Sequence, residues 1–223
     1  MKILHRDDMH HGGFAGLREH RFIMDKRVFG HHQEKGTING IGNLIYLADA
    51  RFNPHGETKM HGHKEVDVVS VMVEGEISHA GSLEHGERLQ SGDVQIQRAG
   101  GEGFSHNEIN PHNEKNRMIQ IWFAPPRSGD KAGYQTIKQN DQKVSHVYGG
   151  GEGQGTFDNP THMQVVQLQK GDLYTLDKAF QAYLIEGQLT SNSYTLKDGD
   201  LFEDDTLNIT AQVASKLIVV YLA

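Results

Sequence analysis

Apolar residues in this chain occur in short runs, each about the length of one β-strand. The longest run rich in β-branched residues covers 66–77 (VDVVSVMVEGEI), and 94–97 alternates apolar and polar positions. Consecutive valines and isoleucines, or a period of two, predict strands rather than helices. Further runs of this kind occur at 118–123, 165–168, 182–185 and 217–222.

Turn signals separate these runs, and a sustained helical period is absent. Glycine is frequent (26 residues) and proline is rare (5 residues), with Gly-Asp or Glu-Gly pairs between the apolar runs. Short strands at regular intervals, divided by such turns, are typical of a β-barrel or β-sandwich. We therefore expect an all-β fold.

A weak internal repeat predicts two units of this kind. Residues 73–76 (VEGE) followed by 89–94 (LQSGDV) recur as 185–188 (IEGQ) followed by 196–201 (LKDGDL). The simplest interpretation is two antiparallel barrel domains, residues 1–135 and 136–223. We expect linker and loop in the interval between the copies, from about residue 125 to about residue 155, where PPRSGD at 125–130 and GGGEGQG at 149–155 lie.

Composition narrows the classes of function. The formal charge of −7 argues against a broad nucleic-acid-binding surface. Without cysteine, a metal can be held only by His, Asp or Glu, and no disulfide can form, as suits a reducing cytoplasm. The first residues lack the apolar core of a secretion signal, and no segment approaches the length of a membrane span. We expect a cytoplasmic protein.

Two motifs predict a metal site. His61 and His63 are one residue apart, and so are His106 and Glu108. Side chains at i and i+2 of a strand share a face, so two neighbouring strands would each offer two ligands to one ion. Three imidazoles and a carboxylate leave open positions on a six-coordinate metal. By the same parity, Glu65 and Asp67 would face inward unless a bulge intervenes.

The remaining histidines offer no such spacing. The adjacent pairs His10-His11 and His31-His32 point to opposite faces of a strand and are interpreted as surface or loop residues. A second group is interpreted as ordinary background in a chain with fifteen histidines: His55, His79, His85, His112, His146 and His162.

The internal repeat confines the predicted metal to the first unit. In an ungapped comparison, Leu173, Thr175 and Val213 occupy the positions of His61, His63 and His106. None of these three side chains is expected to bind a metal.

At the same residues the chain resembles the pirin family of the cupin superfamily. The similarity rests on HGH at 61–63, Asp67, VEGEISH at 73–79, SGDVQ at 91–95 and AGGEGFSHNE at 99–108. It departs from the family pattern at Gly62, where proline is common, at Asp67, where glutamate is usual, and at Glu102, where a basic or small residue is usual. No predicted ligand is lost.

The resemblance implies a bicupin, meaning two antiparallel β-barrel (jelly-roll) domains, with one metal in the first. His61, His63, His106 and Glu108 fall on the family's metal-ligand positions. Similar proteins usually bind iron, so Fe(II) is the expected ion, with Mn, Co, Ni, Cu and Zn as alternatives. The expected partners are a small aromatic substrate and O2, with no nucleic acid and no membrane, and a monomer is favoured over an oligomer.

Some pirins cleave quercetin with O2, so the resemblance implies a quercetin 2,3-dioxygenase-like oxidoreductase. Glu108 would take the substrate proton and Asp67 would orient a ligand imidazole, which makes both candidate catalytic residues. Apolar residues of the inward face would accept the ring, from among Val69, Val71, Met72, Ile96 and Phe104. One alternative is a non-enzymatic, redox-sensing regulator that acts through a protein partner. The other is a cupin isomerase or dioxygenase for a small polar substrate.

Overall fold

The computed structural model describes residues 1–83, 87–150 and 156–223, and nearly all regular structure in these ranges is β. The exceptions are one α-helix of four residues, α1 (Lys26–Phe29), and two 3-10 turns, Arg6–Asp8 and Gly30–His32. All sheet pairings are antiparallel, so the predicted all-β fold with antiparallel units is confirmed. None of the helices in these ranges has the length and apolar character that crossing a membrane requires.

The chain divides into two compact units. The N-terminal unit comprises residues 10–39 and 43–140, and the C-terminal unit comprises residues 1–9, 40–42 and 141–223. The division along the chain therefore falls at 140/141, where the repeat placed it at 135/136. The first nine residues belong to the C-terminal unit because β1 (Lys2–His5) pairs with the strand Asp200–Asp204.

The N-terminal unit contains two sheets. In chain order its strands are β2 (His11–Phe14), β3 (Leu17–Met24), β4 (Leu44–Phe52), β5 (His61–His63), β6 (Asp67–Glu74), β7 (Glu76–Gly81), β8 (Arg88–Gln90), β9 (Val94–Arg98), β10 (Phe104–Ile109), β11 (Arg117–Phe123) and β12 (Gly133–Ile137). One sheet has the order β12-β9-β6-β11-β4-β3-β2, and the other has the order β5-β10-β7-β8.

The C-terminal unit repeats this arrangement. Its strands are β1, β13 (Val144–Gly150), β14 (Asn159–Leu168), β15 (Leu173–Leu176), β16 (Phe180–Glu186), β17 (Gln188–Ser191), β18 (Tyr194–Lys197), β19 (Asp200–Asp204), β20 (Leu207–Ala211) and β21 (Ser215–Leu222). The sheet orders β1-β19-β16-β21-β14-β13 and β15-β20-β17-β18 match those of the N-terminal unit strand for strand, except that no counterpart of β2 is described.

Glycine explains why the repeat was visible in the sequence. Gly75 and Gly187 occupy the tight turns before β7 and β17 with φ of +75° and +102°, a region in which a side chain is strained. A Cβ on Gly75 would also lie 2.9 Å from Cβ of Asn116. The two copies therefore keep glycine at the same turn while their strands diverge.

The interval between the copies is more ordered than the sequence suggested. Residues 125–130 form a loop, but β12 and β13 both lie inside the predicted linker. Gly149 and Gly150 end β13, in which Tyr148 and Gly150 pair with β14 across two register shifts. A glycine-rich end of a strand is indistinguishable from a linker by composition. Residues 151–155 of the predicted linker lie outside the described residues.

Candidate metal centre

Three imidazoles converge where β5 pairs with β10. The antiparallel register sets His61 opposite His106 and His63 opposite Phe104. The Nε2 atom of His106 lies 3.1 Å from Nε2 of His61 and 3.1 Å from Nε2 of His63. His106 is 1% exposed, whereas the other two rings are half-buried. The two motifs therefore lie on neighbouring, paired strands, as the sequence predicts.

Glu108 occupies the next inward position of β10. It shares metal-binding spacing with His106 and His79, whereas His61 and His63 share that spacing with His106. β10 lies between β5 and β7, and its pairing with β7 sets His79 directly opposite Glu108. His79 Nε2 lies 3.2 Å from Glu108 Oε1, and both side chains are 1% exposed. The backbone of Glu108 is fixed as well, because its N–H donates to Oγ1 of Thr58 (3.0 Å) and its C=O accepts from the Thr58 N–H (3.1 Å).

The imidazoles of His63 and His106 are in the form that binds a cation. Burial lowers the pKa of His63 to about 4, and the neighbouring His61 adds to this effect. Burial also lowers the pKa of His106 to about 3, although the carboxylate of Glu108 opposes the change. Both rings are therefore neutral at neutral pH, with a lone pair available to a metal.

The carboxylate of Glu108 is held in its ionised form. Burial alone would raise its pKa, but the hydrogen bond from His79 and the nearby His106 and His61 rings lower it below the usual range. The cluster thus offers neutral nitrogens and one negative oxygen, a donor set suited to a divalent metal.

The spacing of the nitrogens also fits a metal. His61 Nδ1 donates to the Lys59 carbonyl (2.8 Å), and its Nε2 is the nitrogen that faces His106. Metal–nitrogen bonds of about 2.1 Å set two ligands about 3.0 Å apart at right angles and about 3.4 Å apart at tetrahedral angles. The observed 3.1 Å is close to the first value, so the residues fit a cation with open positions.

Two residues that strand parity placed with the ligands lie elsewhere. Glu65 has φ of +53° between β5 and β6, which interrupts the alternation, and its Oε1 accepts from the Gly129 N–H (3.0 Å). The carboxylate of Asp67 is bound by Arg98, with Nε 3.1 Å from both oxygens and Nη2 2.8 Å from Oδ2. Among the described residues, neither group with metal-binding spacing contains Glu65 or Asp67. A catalytic part for Asp67 stays a prediction.

His79 is the candidate site residue that the spacing of the motifs did not predict. It was interpreted as background because its neighbours in sequence supply no second ligand. The structure nevertheless groups it with His106 and Glu108, as a second set with metal-binding spacing. Only the register between β7 and β10 brings it there. The match to the family pattern at residues 73–79 was the signal that pointed to it. His85, from the same background group, lies outside the described residues.

A pocket with aromatic walls leads to this cluster. Its cavity volume is about 280 Å³, near the lower end of ligand sites. Its lining residues are Phe14, Leu17, Glu19, Arg21, Met24, Phe29, Tyr46, Thr58, His61, His63, Glu108, Gln120 and Trp122. The prediction for the lining was wrong, since Val69, Val71, Met72, Ile96 and Phe104 are absent from it. β3, β4 and α1 supply much of the wall instead.

Comparison with known proteins identifies the family. Residues 18–123 match the family model described as Pirin. A protein of Zymomonas mobilis named "Putative quercetin 2,3-dioxygenase ZMO1337" is 31% identical over 221 residues, which cover 92% of this chain and 93% of that protein. This chain belongs to the pirin family. A "Pirin-like protein" of Caulobacter vibrioides is 27% identical over 92% of this pirin and 94% of its own length.

Solved structures agree on the fold. The Escherichia coli pirin YhhW in complex with nickel(II) superposes with a TM-score of 0.85 at 19% identity, covering 99% of this pirin and 98% of that chain. A quercetin 2,3-dioxygenase from Acinetobacter baumannii gives a TM-score of 0.74 at 18% identity, with coverage of 100% and 85%. This pirin therefore has the predicted bicupin fold.

The C-terminal unit of this pirin has apolar residues on the strands that correspond to the ligand strands. The ungapped comparison pointed to Leu173, Thr175 and Val213, but these residues are exposed. The inward positions of these strands belong to the apolar core or pack against it. They are Tyr174 and Leu176 on β15, Leu189 on β17, and Leu207, Ile209 and Ala211 on β20.

Proposed function

We propose that this pirin is a metal-dependent dioxygenase that cleaves quercetin or a similar flavonol with O2. The observation that carries the proposal is the position of the cluster at an aromatic-walled pocket, which His61, His63 and Glu108 themselves line. A substrate in this pocket would lie directly against the ligands. The names of the relatives support the same substrate class.

His61, His63, His106 and Glu108 would hold the ion. We propose a divalent metal, with Fe(II) foremost and Mn, Co, Ni, Cu and Zn as alternatives. The nickel(II) complex of YhhW supports a divalent cation without deciding among these metals. When bound, the ion would supply positive charge beside the substrate's hydroxyl and ketone oxygens and so lower the pKa of the hydroxyl.

Glu108 would accept the hydroxyl proton. It is ionised and buried, and its Oε1 is hydrogen-bonded to His79, so Oε2 would be the oxygen that takes the proton. A general base must lie within hydrogen-bond reach of its proton, and a ligand carboxylate meets this condition. His79 would keep the carboxylate in one orientation, as partners of ligand side chains commonly do.

The second predicted catalytic residue, Asp67, would act at a distance from the substrate. Its partner Arg98 ends β9, directly before the turn at 99–103 that leads into β10. The pair is buried, with Asp67 fully so and Arg98 7% exposed. We propose that it positions β10, and with it His106 and Glu108, rather than contacting the reacting atoms.

The pocket also favours an enzyme over the alternatives. A regulator that responds only to the state of its metal has no need of a cavity that reaches the ligands. A small polar acid would need cations, but in the described part of the chain Arg21 is the one Lys or Arg in the lining, and it is paired with Glu19. Both features support a flat and largely apolar substrate.

The experiment is an oxygen-dependence assay on protein reconstituted separately with Fe, Mn, Co, Ni and Cu. We expect loss of quercetin absorbance with matching O2 uptake for at least one metal, and none under anaerobic conditions. Glu108→Gln should abolish turnover, whereas the exposed control His31→Ala should not. If quercetin absorbance shows no oxygen-dependent loss with any of these metals, the oxygenase function is contradicted. The metal-binding regulator would then be the remaining candidate.

A further inference from the structure

The pocket has a polar wall apart from the ligand residues, built from Glu19, Arg21 and Tyr46. Glu19 and Arg21 lie two residues apart on β3 and so share a face, and Tyr46 lies on the neighbouring strand β4. All three line the cavity that also reaches His61 and His63. We call these three residues the β3–β4 wall. The function proposed above does not use them.

The wall is a fixed array of hydrogen-bonding groups. Glu19 is 2% exposed, its Oε1 accepts from Arg21 Nε (2.8 Å), and its Oε2 accepts from the Tyr46 hydroxyl (2.8 Å). A carboxylate buried this deeply is costly unless it is paired in this way. Arg21 also contacts Glu34, so this one guanidinium is shared by two carboxylates.

Tyr46 and Arg21 both keep their protons in the working range. Burial raises the pKa of Tyr46 well above its ordinary value, and the charge of Glu19 raises it further, so the hydroxyl remains a donor. Burial by itself would lower the pKa of Arg21, but Glu19 outweighs it and the net change is upward. Both protonation states therefore hold across neutral pH.

Aromatic rings connect the wall to the ligand cluster. Tyr46 stacks on Trp122 with ring centroids 4.5 Å apart, and Trp122 meets His63 edge-on at 5.5 Å. Phe29 tilts against Tyr46 at 5.9 Å. A planar ligand with one end at the ligand cluster can therefore lie along Trp122 and present its other end to Glu19 and Arg21.

The charge of the wall decides what that other end can be. Glu19 and Glu34 together carry two negative charges against one positive charge on Arg21. An anionic ligand would have to displace a carboxylate from Arg21 and lie beside the one that remains, which like-charge repulsion opposes. A hydroxyl, in contrast, can donate to Glu19 or accept from Arg21 without changing the charge.

We propose that the β3–β4 wall selects the end of the substrate remote from the ligand cluster, accepting a ring that bears uncharged hydroxyls and rejecting one that bears an anionic group. The inference rests on the proposed function for the identity of the pocket. It adds a specificity role for Glu19, Arg21 and Tyr46.

The test measures binding rather than turnover. Trp122 is the only tryptophan of the chain, so its fluorescence reports occupation of the pocket, with calorimetry as a second readout. The titrations are anaerobic and use three flavonols that differ only in the remote ring, which is a catechol, an unsubstituted phenyl or a benzoate. The natural chain should bind the catechol at least about tenfold more tightly than either other ligand.

The variants should change the order of preference. Glu19→Gln releases Arg21 from one carboxylate, so the benzoate should gain affinity while the catechol loses it by about tenfold. Tyr46→Phe should lower the affinity for the catechol ligand alone. Tyr194→Phe, at an exposed tyrosine, serves as the matched control. A merely structural role would lower the affinity for all three ligands together, and circular dichroism identifies a variant that fails to fold.

The outcomes separate this inference from the proposed function. If Glu19→Gln and Tyr46→Phe both turn over quercetin with unchanged ligand selectivity, the selective role of the β3–β4 wall is wrong and the dioxygenase function stands. If the natural chain binds the catechol selectively but turns over quercetin with none of the metals, the dioxygenase function is wrong and the selective role of the wall stands. Equal binding of all three flavonols by the natural chain, or binding of none, would overturn the wall.

Discussion

The two units have corresponding strand orders but differ in the charged side chains that they bury. The buried residues of the C-terminal unit form an apolar cluster that includes Leu189, Ile209 and Phe202, and among its described residues Asp200 is the one buried charged group. In the N-terminal unit the buried set includes ion pairs such as Asp67–Arg98 and Asp49–Arg117, in addition to His79, His106 and Glu108.

This difference affects how stable each unit is when no cation is bound. Each inward position that holds an imidazole or carboxylate in the N-terminal unit forgoes apolar burial worth about 1.5–3 kcal/mol for a residue such as leucine. The C-terminal unit keeps that burial on the corresponding strands β15, β17 and β20. One copy can thus be stable without a ligand, whereas the other gains stability when a cation binds.

The largest effect should come from a buried ion pair of the N-terminal unit. Asp67→Asn leaves the Arg98 guanidinium buried with its main countercharge removed, which should cost about 3–5 kcal/mol. Urea unfolding followed by Trp122 fluorescence measures the loss in the N-terminal unit. The exposed control Asp205→Asn should change little. If Asp67→Asn unfolds normally, binds metal and loses only turnover, Asp67 is catalytic and our positioning role is wrong.

A cavity in the apolar unit should be nearly as costly. Ile209→Ala on β20 should destabilise the C-terminal unit by about 2–5 kcal/mol, because the fully buried side chain leaves a void in the apolar cluster. On the corresponding strand β10, His106→Ala in the metal-free protein should cost much less, since it removes a buried ring whose Nδ1 has no described hydrogen-bond partner. Paired urea denaturation curves compare the two variants. Equal losses would contradict the contrast between the units.

The sequence predicts the features of this structure that depend on neighbouring residues, but not those that depend on which strands pair. The turns around Gly75 and Gly187 and the valine-rich β6 are local, so an all-β fold in two units was predictable. His61, His63, His106 and Glu108 could be predicted as a ligand set because a period of two is also local. The position of His79 depends on the pairing of β7 with β10, and the wall residues Glu19 and Tyr46 depend on β3 pairing with β4; registers of this kind are set by tertiary packing.

The third prediction concerns His79. His79→Leu keeps the volume but removes the hydrogen bond to Glu108, and it should weaken metal binding by about 10–100-fold. Competition with a chelator measures the affinity, and His79→Gln should recover part of it by restoring a donor. Ser191→Ala on β17 is the control in the C-terminal unit. Unchanged affinity in His79→Leu would show that Glu108 needs no support from β7.

The smallest effect is a pH dependence confined to the metal-free N-terminal unit. His63 and His106 have folded pKa values of about 4 and about 3, below the unfolded value of about 6.5. Their contribution to stability is complete above pH 6.5 and is lost as the pH falls toward the folded values, by about 1 kcal/mol per pH unit for each ring. Urea midpoints followed by Trp122 fluorescence between pH 7 and 5 test this, and a His63→Asn, His106→Asn double variant should lose the slope. The same slope in the variant would assign it to other groups.

We infer that one metal ion is held by His61, His63, His106 and Glu108. The most direct test is elemental analysis of protein purified without a histidine tag, repeated on His61→Ala and Glu108→Ala. We predict close to one divalent metal ion per chain in the natural protein and loss of that ion in both variants. Retention of one metal ion per chain in both variants would contradict this ligand assignment.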